Sequence, residues 1–237
     1  MEPRMGQGLA HGRVSAEQLD AGLRSHMLSV YNYMGLALAL TGLTALVVAS
    51  SPALLSVIFG TPLKWVVMLA PLGFVFALGM KARSMSVSAV QLTFWAFAVV
   101  MGLSMASIFI VFTGTSIARV FFITAGTFGA MSLYGYTTKR DLAKFGSFLF
   151  MGLIGIVIAM IVNIFIGSSA LQFAISVIGV LVFTGLTAWD TQRIKEEYTE
   201  LAGTEMMTKV AIMGALSLYL NFINLFMMLL SLFGNRE

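Results

Sequence analysis

Long apolar runs alternate with short polar breaks along almost the whole chain. Seven runs are long enough, or nearly so, to cross a bilayer as helices of roughly 20 residues. They cover residues 34–48, with a start nearer His26 as the alternative, then 65–78, 87–111, 117–134, 145–166, 170–188 and 211–233. The second is short. It either begins nearer Leu54 with a break at Pro62, or carries Pro71 inside a span, where neighbouring helices satisfy the freed carbonyl. The predicted fold is an all-α integral membrane protein with seven transmembrane helices.

The polar breaks test that count. The N-terminal segment and the second, fourth and sixth loops carry Arg4, Arg13, Arg24, Lys81, Arg83, Lys139, Arg140, Lys144, Arg193, Lys195 and Lys209. The opposite side carries Lys64, Arg119 and Arg236. Basic residues favour the cytoplasmic side, so the N-terminus is expected inside and the C-terminus outside. One span more or fewer would scramble this split. Residues 1–26 read as a cytoplasmic segment, partly disordered or forming a short surface helix over "SAEQLDAGLRSHM". Residues 27–237 read as one membrane domain. The first apolar run comes too late for a cleaved signal peptide and is expected to stay as an anchor.

Composition agrees. Of 237 residues, 59% are hydrophobic and 10% charged, against about 25% charged in soluble domains. The net charge of +4 is scattered over loops, which argues against a nucleic-acid surface. There is no cysteine, and both histidines, His11 and His26, precede the first apolar run, so a Cys or His metal centre is not expected. No phosphate loop, HExxH, nucleophile elbow or dinucleotide fingerprint occurs. An enzyme is not expected, nor a bound cofactor.

Acids are scarce. None lies between Asp20 and Asp141, and Asp190, in "TAWDTQRIKEEY", alone abuts a span. An ionisable group at membrane depth usually faces protein or water and has a partner. Asp190 is either an edge charge of the sixth span, balanced by Arg193, or a working group. On the seventh span Gly214, Ser217, Asn221, Asn224 and Ser231 share about 100° of arc, with Tyr219 opposite. That face is either an interhelical hydrogen-bond seam or the lining of a gated, wet path. Hydroxyls such as Thr124, Thr127 and Ser132 are expected to bond their own helix backbone. Ala125–Gly129 and Gly152–Gly155 have the spacing of close helix packing.

Three stretches carry a family resemblance: "FGAMSLYGYTTKRDL" at 128–142, "AWDTQRI" at 188–194 and "ALSLYLNFINLF" at 215–226. In that order they resemble the transmembrane Bax inhibitor motif family, and most closely its bacterial inner-membrane branch. The resemblance implies a central last helix wrapped by six others and a pH-sensitive calcium leak through an inner membrane. It maps one family aspartate onto Asp190 and places Asn221 where the family has a second. It also implies a latch to Asp190 from the second span, for which Arg83 is the candidate and Lys81 a substitute; Arg83 is equally a plain loop charge. Without the second acid the pH response is expected to be weaker. One carboxylate is a poor cage for Ca²⁺, which prefers six to eight oxygens, so only weak, transient Ca²⁺ contact at Asp190 is expected. Ser217, Asn224 and Gly214 are the candidate pore-lining residues. The alternative function is a modulator of a membrane protease or stress-response partner, engaged through the N-terminal segment or the loop "RIKEEYTELAGTEMMTK".

Overall fold

The computed structural model describes residues 16–201 and 206–236. In these the chain is helical: α1 (Ala16–Ala49), α2 (Pro52–Phe59), α3 (Leu63–Lys81), α4 (Val87–Met105), α5 (Ile108–Val111), α6 (Gly114–Thr137), α7 (Ala143–Ile166), α8 (Ser169–Leu201) and α9 (Met207–Phe233). Seven candidate spans result, with α4 and α5 together forming the third and α2 too short to cross. The protein is an all-α, multi-pass membrane protein.

Two spans outrun their apolar windows. The residues expected to form a separate surface helix before the first span instead begin α1, a continuous helix of 34 residues. Leu23, Met27, Val30, Met34, Ala37, Thr41, Ala45 and Val48 are buried along it. That spacing of three or four residues draws one continuous stripe into the bundle, so nothing interrupts the helix at the expected boundary. Residues 1–15 lie outside those described. The sixth span behaves likewise. It was expected to end at residue 188, but α8 runs 33 residues to Leu201. Its extension buries Thr191, Gln192 and Ile194, and Tyr198 stacks on His26 of α1 with ring centroids 5.3 Å apart. Asp190 is therefore inside a helix, not at its end.

The region before Pro62 resolves into α2 and a break. Ser51 caps α2, Pro52 opens it, and Gly60 follows its last residue, the arrangement expected of proline at a helix start. Pro71 is buried inside α3.

The last helix is the core of the molecule. In its most apolar window 56% of residues are buried, against 6% for α7. Helices α1, α4, α6 and α8 pack directly on α9, while α3 leans on α4 and α7 on α8. The six thus surround the last helix in two tiers. Tyr219, on the side of α9 away from its polar face, is fully buried, with its hydroxyl 2.7 Å from Thr41 Oγ1 of α1 and its ring against Phe97 of α4. Helices α6 and α8 approach closely at Gly135, where a Cβ would stand 2.2 Å from the Ala188 carbonyl oxygen. Of the spaced small pairs, Gly152 does meet Val182, whereas Gly129 and Gly155 face open space. The close packing expected of both spaced pairs therefore holds at Gly152 alone among these glycines, because Gly129 and Gly155 turn outward from the bundle.

Candidate functional site

The "DTQR" run of α8 sends four consecutive side chains to different neighbours. Asp190, 6% exposed, accepts from Asn221 Nδ2 of α9 at 2.7 Å on one oxygen and from Arg193 Nη2 at 2.6 Å on the other. Thr191 donates to the Thr187 carbonyl and sits 3.0 Å from Ser132 Oγ of α6, which in turn lies 2.5 Å from Tyr31 Oη of α1. Gln192 leaves the helix sideways. Its Nε2 donates to the Arg140 carbonyl at 2.9 Å and its Oε1 accepts from the Leu142 backbone N–H at 2.8 Å. It so ties the α6–α7 loop to α8 and satisfies a backbone donor at the start of α7.

Arg193 completes the cluster. The same Nη2 that meets Asp190 also donates to Ser217 Oγ of α9 at 3.1 Å. The guanidinium lies over Trp189, 5.2 Å from the ring centroid, and its Nη1 is 3.9 Å from Glu197 one turn further along α8. Arg193 thus stands between two carboxylates, Asp190 buried and Glu197 more open. Its side chain is 38% exposed against 8% for that of Asp190, so solvent screens the arginine end of the pair far more than the aspartate end.

The expected latch residue is elsewhere. The Arg83 side chain is exposed in the turn after α3, and its backbone carbonyl accepts from Lys209 Nζ at 3.3 Å. The cation at Asp190 is Arg193. The reason is placement: α3 packs on α4, outside the first tier, whereas Arg193 is on the same face of the same helix as Asp190, three residues on.

The polar face of α9 is a packed seam rather than an open path in this state. Ser217 and Asn221 are engaged as described. Asn224 donates to the Leu220 carbonyl of its own helix at 2.8 Å. Gly214 lies under Ile194, whose Cδ1 would be 3.1 Å from an added Cβ. Ser231 meets Ser176 and Gln172 of α8 at 3.1 and 3.4 Å. The seam therefore has two polar clusters, at Asp190 and at Ser176, about 21 Å apart along α8. Between them lie buried Val182, Phe183 and Leu186 of α8 and Leu225 and Met228 of α9, with Met228 pressed on Gly179. On the α6 side, Phe121 and Phe128 stack edge-on against Phe222, each with centroids 5.5 Å away. Among the described residues no side-chain hydrogen bond joins the two clusters, although Thr184, Thr187 and Asn224 lie between them, the first with a buried, unpartnered hydroxyl and the other two bonded to their own helices.

Thr124 and Thr127 bond backward to their own helix, as expected. Ser132 does not; it reaches across to Tyr31 and Thr191. The roles of Gln192, Thr191 and Tyr31 were not anticipated. The adjacency of "TQ" to Asp190 was a signal, but only the packing of α6 and α7 says what each side chain meets. Of the segments expected to engage a protease or stress-response partner, residues 1–15 and 202–205 lie outside the described residues.

The family model for the inhibitor of apoptosis-promoting Bax1 matches residues 23–237. The inner membrane protein YbhL of Escherichia coli (strain K12) is 47% identical over 226 residues, 94% of this chain and 97% of its own length. The protein RP147 of Rickettsia prowazekii (strain Madrid E) is 49% identical over 218 residues, 92% of each chain. A more distant relative, the membrane protein SpyM3_0260 of Streptococcus pyogenes, is 34% identical over 223 residues, 93% of this chain and 96% of its own. The family model's match spans the bundle from within α1 to α9 and includes every residue of the Asp190 cluster, and on it and these relatives the chain belongs to the Bax inhibitor family.

Proposed function

We propose that this protein is a cation leak of a bacterial inner membrane, with Ca²⁺ as a transient cargo, gated at Asp190. One observation carries the reading: a buried carboxylate at the α8–α9 seam whose two oxygens are held by Asn221 and Arg193. A carboxylate at such a place is costly to bury and is held there by its partners, and an ionisable group inside a membrane bundle marks a functional site by default. The arrangement described above is then a closed one. Arg193 occupies the oxygen a cation would take, and the packed apolar side chains of Leu186 and Leu225 block the seam beyond it. Opening requires α8 and α9 to part there, which frees Asp190 to touch a passing ion. With Asn221 in place of a second acid, the site holds one titrating group, and the pH response is weaker than that of a carboxylate pair. No catalysis is involved. The basic loops support a cytoplasmic N-terminus and an outer C-terminus.

The test is Ca²⁺ flux into proteoliposomes at a series of pH values, comparing the wild type with Asp190→Asn. The expected result is a flux whose pH dependence disappears in the variant. A flux of the same size and the same pH dependence in both proteins removes Asp190 from the gate.

A further inference from the structure

Helices α1 and α6 diverge on the face of the bundle next to the Asp190 cluster. Between them runs an open groove of about 600 Å³. Leu28 and Tyr31 of α1 and Gly129, Leu133 and Tyr136 of α6 line it, and Arg24 stands at one end. Leu28 and Leu133 are 53% and 63% exposed. From Arg24 to Tyr31, and from Tyr136 to Gly129, the groove extends for about 10 Å along both helices. Its floor holds Ser132, the residue that joins Tyr31 to Thr191. A second cation borders the same end: Lys195 Nζ lies over the Tyr136 ring at 5.3 Å and donates to its carbonyl at 3.1 Å. Among the described residues Arg24 makes no ion pair. Asp20 is one turn further out on α1, about 6 Å past Arg24, and does not line the groove.

We propose that this groove is a binding site for one anionic phospholipid, its acyl chain along α1 and α6 and its phosphate between Arg24 and Lys195. The chemistry of the two ends selects that occupant. The walls are almost wholly apolar and open sideways into what the helix lengths make the hydrocarbon layer, so a chain enters without crossing polar groups. One end of the groove has two cations, Arg24 lining it and Lys195 beside Tyr136, and each such cation near a headgroup favours an anionic lipid by about fivefold, from roughly 1 kcal/mol at a membrane surface. A second copy of this chain fits less well, because a two-fold contact through the same face with both copies in the same membrane orientation would bring two Arg24 cations to the same level with no acid lining the groove to meet them. The occupant touches Ser132, so it bears on the hydrogen bond to Thr191 and through it on the α8 turn that holds Asp190. The site does not depend on what the protein conducts.

Gly129 offers a direct probe, because a Cβ there meets nothing within 4 Å; Gly126, also open, is outside the groove. The purified protein is equilibrated with equal amounts of phosphatidylglycerol and phosphatidylcholine of identical chains, and retained lipid is counted by native mass spectrometry. The wild type is expected to retain one phosphatidylglycerol in preference, by fivefold or more. Arg24→Gln is expected to lower that preference about fivefold. Gly129→Leu is expected to abolish the retained lipid, and Gly126→Leu to leave it unchanged. Equal retention of the two lipids by the wild type overturns the proposal, as does an Arg24→Gln protein with undiminished preference. So does displacement by free glycerol phosphate at the lipid's own concentration, which would mean that the cations bind phosphate with no need of the groove. Should Gly129→Leu fail to fold, the Arg24→Gln comparison still decides.

Discussion

Asp190 divides its two oxygens between an amide on another helix and a guanidinium on its own, and the two partners do different work. Asn221 joins α8 to α9; Arg193 neutralises. Arg193→Leu removes the neutralising charge while Asp190 stays buried. We therefore expect a loss in unfolding free energy between about 1 kcal/mol, the low end for an unsatisfied buried group, and about 5 kcal/mol, the upper end for breaking a buried ion pair; the Asn221 hydrogen bond that remains keeps it below that upper end. The double variant Asp190→Asn, Arg193→Leu should recover most of that loss, and detergent-solubilised thermal or denaturant unfolding of the three proteins measures it. Asn221→Asp sets two carboxylates face to face. They repel when both are ionised and share a proton when one is not, so the variant is expected to be most stable in acid. It should lose stability, by about 1–3 kcal/mol, as the shared proton is removed with rising pH, and Ca²⁺ flux through it should gain a pH-dependent step that the wild type lacks. Asp190 and Asn221 were legible in the sequence because acids near spans are so few and the neighbouring motifs so specific. The choice between Arg83 and Arg193 was not, because both are basic residues near the same membrane face. Only the tier in which each helix packs separates them.

At the scale of the element, Gln192 is the case where a motif residue acts on structure rather than on ions. Its amide spans from α8 to both sides of the α6–α7 loop. Gln192→Leu leaves the Arg140 carbonyl and the Leu142 N–H without that partner. We expect about 1–3 kcal/mol of destabilisation, with faster amide hydrogen exchange concentrated at residues 140–146. A uniform rise in exchange over all helices would contradict a local clasp. The helices themselves were legible wherever they were apolar. Their true lengths were not. A hydropathy window stops where charge begins, yet the extension of α8 carries good helix formers and continues to bury Ile194, and α1 buries Leu23 and Met27 well before its apolar run. Burial against a neighbouring helix, not hydropathy, sets both ends. For the same reason Gly129 read as a packing residue, although the face it occupies is the open wall of a groove.

Across the whole molecule, seven spans and a central last helix were legible, the first from run lengths and loop charges and the second from the family motifs. The two-tier arrangement was not, since nothing in α3 or α7 marks it as peripheral; both are simply apolar, as a lipid-facing helix is. The centrality of α9 bears on how the molecule is made. It is the last of the seven spans to leave the ribosome, so the other six enter the membrane before the helix they are built around exists. Until it arrives, Tyr219's place against Phe97 and Thr41 is empty and Asp190 has no Asn221. A chain truncated before Met207 should therefore insert but not consolidate, remaining as accessible to protease in its loops and to quality-control machinery as an unfinished protein. Supplying α9 as a separate segment should restore a compact, protease-resistant bundle. Arrival of α9 then acts as the checkpoint for assembly, and the carboxylate stays without its Asn221 partner until that span docks.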